Sequence, residues 1–469
     1  MQILVRFAQS HQEFRIPELL SVAQVCGFEL EIPSDADATR PFMVLDLPDE
    51  HHARLLARRC ILIKAVSEFW ATGATAEELH VAVKANEAAW RPYEHVSFKF
   101  LVGAYNQTIS SAEQRARMES LRYMDFDGKI DLKHPELVME WWEEYDDAGE
   151  LSGLPRGEGK GLLRQIYFSR AIEDGSARTL VHKFDVKKRA YFGNTSMEAE
   201  ISLLMANQTL ASPGKLMYDP FVGTGSMLYT AAHFGAIVFG SDIDGRQIRG
   251  RGTEKKETPG VESAARQYGL AGRLLGCATF DVTRNPWRRG GLFDAIVTDP
   301  PYGVRAGAKR LGRKDLTKQR TSPVRLSDGI LSHVKPDYIP PTRPYELADL
   351  ARDLVRFARW ALRPGGRLVF FLPTVTDEYA AVDIPTLEGM ELVANSCQDF
   401  GSWGRRLITM RKVAQDDGER PEFPLEGLPY GGGGNGDEEH VPAHKGFRDK
   451  YFAGFKREEK EQLAASSST

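Results

Sequence analysis

Residues 215–228 read KLMYDPFVGTGSML, and their order decides the fold class. An apolar run stops on Asp219, a glycine-rich turn follows, and a helical pattern begins near Ser226. Gly223 and Gly225 let a ligand approach the backbone with no Cβ in the way. The helix N-terminus behind them presents free N–H groups. The dinucleotide pattern G-x-G-x-x-G fails here, because Leu228 occupies the third glycine position. Asp219 argues the same way. A carboxylate before the loop repels a pyrophosphate but suits a ligand that carries an amine.

Three more strand-like runs follow. AIVFGSDIDG (236–245) puts Asp242 at the end of a second strand. A carboxylate there can accept both hydroxyls of a ribose, with Ile243 against an adenine face. ATFDVTRNPW (278–287) brings Asp281 to the end of a third strand, placed to accept from an adenine amino group. FDAIVTDPPYG (293–303) ends a fourth on Asp299, followed by Pro300, Pro301 and Tyr302. Two prolines fix φ and remove two backbone donors, so the carbonyls there are free to face a ligand. In an open α/β sheet, ligands bind beyond the carboxyl ends of the strands. Each Asp alone is an ordinary turn former or N-cap. Four in order, with a glycine-rich loop after the first, mark a site.

Outward from this core, residues 190–412 alternate helix and strand, which implies a mostly parallel sheet with helices on both faces. NTSMEAEISLLMANQTL (194–210) predicts a helix. Thr195 and Glu198 form its T-x-x-E capping box, and Met197, Ile201, Leu204 and Met205 form its buried stripe. A second helix carries Leu347, Leu350, Leu354, Phe357 and Ala361 on one face, stops at RPGG, and leads into the strand RLVFFL. Upstream, residues 1–72 read as a small α+β unit, and residues 73–189 as another. In the latter, HPELVMEWWEEYDDAG (134–149) predicts a helix opened by Pro135 and closed by Gly149. RQIYFSRAIEDGSARTLVHKF (164–184) predicts two strands joined by a hairpin at Asp174–Gly175. The turn LSGLPRGEGKG (151–161) lies between them. From Val413 the chain becomes polar and reads as a flexible tail, 413–469. HKGFRDKYFAGFKR (444–457) breaks that pattern with four aromatics among basic residues.

The bulk numbers set limits. A chain of 469 residues needs two or three domains. A formal net charge of -4 excludes a globally basic nucleic-acid binder, so any such surface is local. One candidate is VRAGAKRLGRKDLTKQRTSPVR (304–325), where Arg305, Lys309, Arg310, Arg313 and Lys314 can meet RNA phosphates. The competing reading of that run is a solvated loop. Cys26, Cys60, Cys277 and Cys397 lie far apart, which argues against a disulfide framework and a zinc site in this chain. No stretch is apolar enough to span a bilayer, and the N-terminus has no signal pattern. The expectation is a cytoplasmic protein with no metal and no membrane contact.

With these residues in view, the segment 215–303 resembles the class I S-adenosyl-L-methionine-dependent methyltransferases of exocyclic nucleobase amines, whose signature is (D/N)-P-P-(Y/F). DVKKRAYFGNTSMEAEISLLMANQTL (185–210), DPFVGTGS and TDPPYG, with LVRFAQSHQEFRIPEL (4–19) and the tail segment, resemble the eukaryotic tRNA guanosine-2-N-methyltransferases that modify position 10. The resemblance implies a Rossmann-like methyltransferase domain at 190–412, preceded by a ferredoxin-like domain at 1–72 and a THUMP RNA-binding domain at 73–189. It implies S-adenosyl-L-methionine as cofactor, held by Thr195, Asp219, Pro220, Phe221, Gly223, Thr224, Gly225, Asp242, Ile243, Asp281 and Val282. It implies tRNA as substrate and a small zinc-binding activator subunit as heterodimer partner. Asp299 and the Pro300 carbonyl would accept the two N2 hydrogens of guanine, Pro301 would stiffen that carbonyl, and Tyr302 would stack on the base. The D-P-P-Y signature alone does not separate RNA from DNA or guanine from adenine. An amino-methyltransferase of another base and an inactive RNA-binding scaffold stay open on the motif. A nicotinamide-dependent oxidoreductase is disfavoured by Leu228.

Overall fold

The computed structural model describes residues 1–146, 161–250, 259–303, 307–313, 315–318, 322, 324–335, 338, 340–423 and 442–452. The chain forms two compact units, Met1–Leu180 and Val181–Thr469. Among the described residues no helix is long and apolar enough to cross a membrane.

The first unit is built on β1 (Gln2–Phe7), β2 (Phe42–Asp46), β3 (Ile63–Gly73), β4 (Phe98–Tyr105), β5 (Leu137–Tyr145) and β6 (Leu163–Asp174). They form one sheet in the order β2-β1-β3-β6-β5-β4. Only β4 and β5 pair in parallel. The line expected at residue 72 falls inside β3. That strand is bonded to β1 on one side and β6 on the other, so the sheet runs unbroken across the line. Helices α1 (Arg15–Cys26), α2 (Glu50–Arg59), α3 (Ala76–Ala85) and α4 (Ser111–Ser120) complete the unit.

Two expectations fail here for identifiable reasons. Residues 137–145 are a strand, not a helix. Leu137, Met139 and Trp141 alternate onto one face and join the core of Trp70, Leu79, Phe98 and Phe168. The acids Glu140, Glu143 and Glu144 in this strand are all buried. A buried carboxylate persists only when partnered, and these are. Glu144 takes Arg40 Nε at 2.9 Å, Arg40 Nη2 at 2.6 Å and the Tyr167 hydroxyl at 3.2 Å. Glu143 takes Arg117 Nε at 3.0 Å, the Trp141 indole at 2.9 Å and the Tyr145 hydroxyl at 2.6 Å. Glu140 takes the Ser67 hydroxyl at 2.5 Å. The hairpin at Asp174–Gly175 is also absent: β6 ends there and short helical turns at 176–183 follow. Gly175 serves a close approach instead. Its N–H donates to Lys64 O at 2.8 Å, and a Cβ there would lie 1.9 Å from Ile63 O.

The second unit has the α/β architecture expected. Its main strands are β7 (Leu216–Asp219), β8 (Ile237–Asp242), β9 (Leu274–Thr279) and β10 (Phe293–Thr298). A small pair follows, β11 (Lys309–Leu311) and β12 (Thr342–Pro344), and then β13 (Leu362–Val375), β14 (Met390–Asp399) and β15 (Trp403–Lys412). The seven-stranded sheet runs β14-β15-β13-β10-β7-β8-β9. From β9 to β13 the pairing is parallel, and β15 runs antiparallel to both its neighbours. Its helices include α5 (Ala199–Gln208), α6 (Ser226–His233), α7 (Val261–Gln267) and α8 (Leu347–Ala361). The expected face of α8 is buried, and Phe357 packs with Tyr218, Phe293, Ile296 and Phe370.

The T-x-x-E capping box does not form. Helix α5 starts at Ala199 with Glu198 as N-cap and no side-chain cap. Glu198 points across to Arg405 Nη2 at 2.7 Å and Gln398 Nε2 at 3.1 Å. The rest of α5 is buried around its whole circumference, well beyond the expected stripe. The tail is not uniformly free either. Asp417 pairs with the buried Lys412 at 3.0 Å and Asp416 with Arg359 at 3.0 Å, and 442–452 folds onto this unit.

Replacing Glu144 with Ala strands Arg40 and the Tyr167 hydroxyl. We expect it to destabilise the first unit by about 2–4 kcal/mol, read as a lower denaturant midpoint by tryptophan fluorescence of the full chain. Tyr167→Phe, which leaves the ion pair intact, should cost about 1 kcal/mol.

Candidate active site

The chain leaves β7 toward β8 and β9 on one side and returns at β10 on the other. That reversal opens a crevice at the carboxyl ends of β7 and β10. Asp219 and Asp299 stand at its two sides.

Asp219 is fully buried. Its Oδ1 accepts the Thr298 hydroxyl at 2.7 Å and the Phe221 N–H at 3.0 Å. Its Oδ2 is buried and has no hydrogen-bond partner among the described residues. Burial pushes its carboxyl up to about 7. The Thr298 and Phe221 bonds work against this, and the neighbouring Asp242 and Asp299 charges add to it.

The glycine-rich turn is tied to the next strand. Asp242 accepts the Gly223 N–H at 3.0 Å and the Asp244 N–H at 2.8 Å. Burial raises its carboxyl to about 6 against those bonds. Gly223 has φ +48 and Gly225 has φ +86, both in the left-handed region. A Cβ on Gly223 would project into space with only Phe221 O within reach, at 3.9 Å. On Gly225 it would strike the Tyr229 ring and its hydroxyl within 2.9 Å. The first glycine keeps a cradle open and the second permits α6 to pack.

The other expected cofactor residues distribute around this turn. Pro220 and Thr224 are buried, and Phe221 and Ile243 are half-buried. Thr195 is exposed; its neighbour Ser196 meets Thr224 instead, Oγ to Oγ1 at 2.7 Å. Asp281 is buried. Its Oδ1 takes the Thr283 N–H and hydroxyl, each at 2.8 Å, and its Oδ2 takes the Leu311 N–H at 2.6 Å. Val282 packs into the hydrophobic core.

At β10 the Tyr302 hydroxyl donates to Asp299 Oδ1. Burial pushes Asp299 up to about 6, while the Tyr302 bond and the positive charge of Arg405 hold it down. The tyrosine expected to stack on a base is thus tied by its hydroxyl to the catalytic candidate. A substrate amine that takes Asp299 Oδ1 competes with that hydroxyl. Arg405 escaped the sequence reading. It bonds Glu198 at 2.7 Å and Gln398 at 2.6 Å and lies over the Phe371 ring at 4.7 Å. No local pattern links positions 198 and 405.

The basic run divides. Lys309 is exposed and Arg313 half-buried. Arg310 corrects the expectation of an RNA contact: it is buried, gives Nη2 to Phe423 O at 2.8 Å and lies over the Tyr345 ring at 5.0 Å. Arg305 and Lys314 lie outside the described residues.

Comparison with known proteins adds independent findings. Residues 1–177 match the family model described as Tmrp11 THUMP N-terminal domain. Residues 187–324 match the RMKL-like methyltransferase domain. The chain is 38% identical over 409 residues to the tRNA (guanine(10)-N(2))-methyltransferase of Saccharomyces cerevisiae, covering 86% of this chain and 92% of that one. It is 35% identical to the mouse protein of the same name, over 96% of this chain and 95% of the other. Among solved structures, TrmN from Thermus thermophilus aligns with a TM-score of 0.41 and 16% identity, over 88% of this chain and 100% of that one.

The Asp219 geometry has a thermodynamic signature. Its folded-state carboxyl is raised above its unfolded value near 4, so the folded chain holds that proton more tightly between pH 4 and 7. Its contribution to stability is therefore present below pH 4 and lost as pH rises through about 7. Asp219→Asn does not titrate. Relative to its own value at pH 4, the variant should gain about 1–3 kcal/mol on the wild type by pH 8, measured as the difference in unfolding midpoints without added ligand.

Proposed function

The chain belongs to the tRNA (guanine(10)-N(2))-methyltransferase family, and from that membership we propose that it methylates the exocyclic N2 amine of a tRNA guanosine with S-adenosylmethionine as donor. The observation that carries this reading is the pairing at the switch point. Asp219 offers a buried, unpartnered oxygen on one strand, and Asp299 heads the D-P-P-Y turn on the next.

The residues present fit the donor. Asp219 Oδ2 would hold an ammonium group, and a cationic ligand would draw its proton off. Each Asp242 oxygen has a second lone pair for a ribose hydroxyl. The open space over Gly223 admits a ligand against the backbone. When bound, S-adenosylmethionine supplies a methyl group already activated on a positively charged sulfur. The chain's own task is then alignment. Asp299 and the Pro300 carbonyl accept the two hydrogens of the guanine N2 amine and turn its lone pair toward the methyl. Transfer of that methyl to the nitrogen would leave the sulfur as a neutral thioether, and Asp299 or water would take the amine proton. Tyr302, released from Asp299, covers the base. A paired guanine has to leave its stack first.

The remaining assignments follow the family. The N-terminal unit, Met1–Leu180, would hold the RNA, and Lys309 and Arg313 would meet phosphates near the site. A small zinc-binding activator subunit would complete the enzyme. Edge strand β9, where Leu275 is exposed, has the chemistry for adding a partner's strand.

Asp299 is the test. Asp299→Ala should lower kcat by about 10²–10³-fold, with S-adenosylmethionine affinity within twofold of wild type by calorimetry. Asp299→Asn should be milder, because an amide oxygen still accepts one hydrogen bond. In the wild type at saturating donor, kcat should fall as pH drops through about 6, where Asp299 takes up a proton and ceases to accept. Asp299→Asn should lack that inflection. Wild-type rates in both variants would defeat the mechanism.

A further inference from the structure

The segment Pro442–Phe452 belongs to none of the elements described so far, yet it is not loose. Ala443 and His444 are fully buried and Phe447 is 2% exposed. Its anchors all lie along one edge of the sheet. The Gly446 N–H donates to Glu346, just before α8, at 3.1 Å. Lys450 pairs with Glu378, just after β13, at 2.5 Å. Phe447 and Tyr451 pack on Trp403, with ring centroids 5.8 and 5.4 Å away. Trp403 opens β15 and lies opposite Val375, the last residue of β13. This is the carboxyl edge of the parallel strands, where Asp219 and Asp299 stand.

Two groups from this region remain directed outward. Arg448 is exposed, and a methyl placed on Gly303 would meet its side chain at 3.6 Å from Cβ and 3.8 Å from Cδ. Its stem therefore lies against the residue that follows Tyr302, and its guanidinium lies within one side-chain length of the catalytic turn. Phe452 and Phe400 are each nearly half exposed, and Phe400 stacks on Trp403 at 4.5 Å. Exposed aromatic faces beside a cation are the chemistry that holds an unpaired nucleic-acid strand. A strand that yields one base to the site has to be held there by its backbone.

We propose that Pro442–Phe452 forms a wall of the methyl-transfer site and that Arg448 binds a backbone phosphate of the RNA strand entering it. The proposal rests on the tRNA-methyltransferase reading above. The segment's buried residues fix its place, and Arg448 carries the recognition. Arg448 is a positioning residue: it grips the strand and leaves the transferred methyl to Asp299 and its neighbours. A phosphate contact is a single charge neutralisation, so its loss is uniform across sequences and sensitive to salt.

The test uses the full chain, with its activator if co-expression proves necessary, and measures tRNA binding from 50 to 300 mM salt. Arg448→Ala should weaken tRNA binding about 3–10-fold near 150 mM salt and reduce the slope of log K against log salt by close to one. The KM for tRNA should rise more than kcat falls, and S-adenosylmethionine affinity should stay unchanged. Arg448→Lys should restore most of the slope. Arg363→Ala, an exposed cation at the amino end of β13, controls for net charge and should change the slope less. Unchanged tRNA affinity and slope in Arg448→Ala, with an active wild type, would overturn this proposal alone. A wild type that binds donor but methylates no tRNA guanosine would overturn the reading beneath it, and the proposal with it.

Discussion

One carboxylate ties the catalytic unit to its fold. Asp219 is sealed between β7 and β10. One oxygen is held by Thr298 and the Phe221 N–H, and the other by no described residue. A buried carboxylate with an idle oxygen costs stability, and its raised pKa expresses that cost. The sheet order forces the arrangement. Because β10 returns beside β7, the end of each strand faces the end of the other, with no helix between them. No described residue relieves Asp219; a group that did so would carry donors or positive charge. The glycine turn follows from the same constraint: Asp242 grips the Gly223 N–H and fixes the open cradle next to that idle oxygen.

The first unit shows what a buried carboxylate looks like when it serves structure. Glu143 and Glu144 lie almost as deep as Asp219, yet Glu143 has arginine, indole and hydroxyl donors and Glu144 has arginine and hydroxyl donors. Removing their partners would harm the sheet. Supplying new ones would do nothing. Asp219 is the reverse case: one of its buried oxygens has no donor among the described residues. The contrast separates the two kinds of buried charge by their hydrogen bonds, where burial alone cannot.

The strand ends around the candidate site were legible because their signals are local. Each of β7, β8 and β10 is an apolar run of four to six residues stopped by an acid at its carboxyl end or one step beyond. The turn after β7 carries its own glycines. β5 was misread because its acids face inward toward partners far off in sequence, Arg40 and Tyr167 among them. The helix cap at Thr195 does not form: α5 starts four residues later, and Glu198 pairs with Arg405, 207 residues away. The line at 72 rests on local pattern, whereas the two pairings of β3, to β1 and to β6, are both long-range.

Charge was the hardest property to read, for a geometric reason. Side chains on a strand alternate between two faces, so a basic run that enters a strand does not all reach solvent. On β11, Lys309 faces out while Arg310 turns in to a carbonyl and a tyrosine ring. The tail works the other way. There Phe447 turns in against Trp403, and the next residue, Arg448, turns out beside Gly303. An exposed cation gains a defined position from the buried aromatic adjoining it. A chain with a net charge of -4 can therefore set single exposed cations on separate anchors, without a block of like charge.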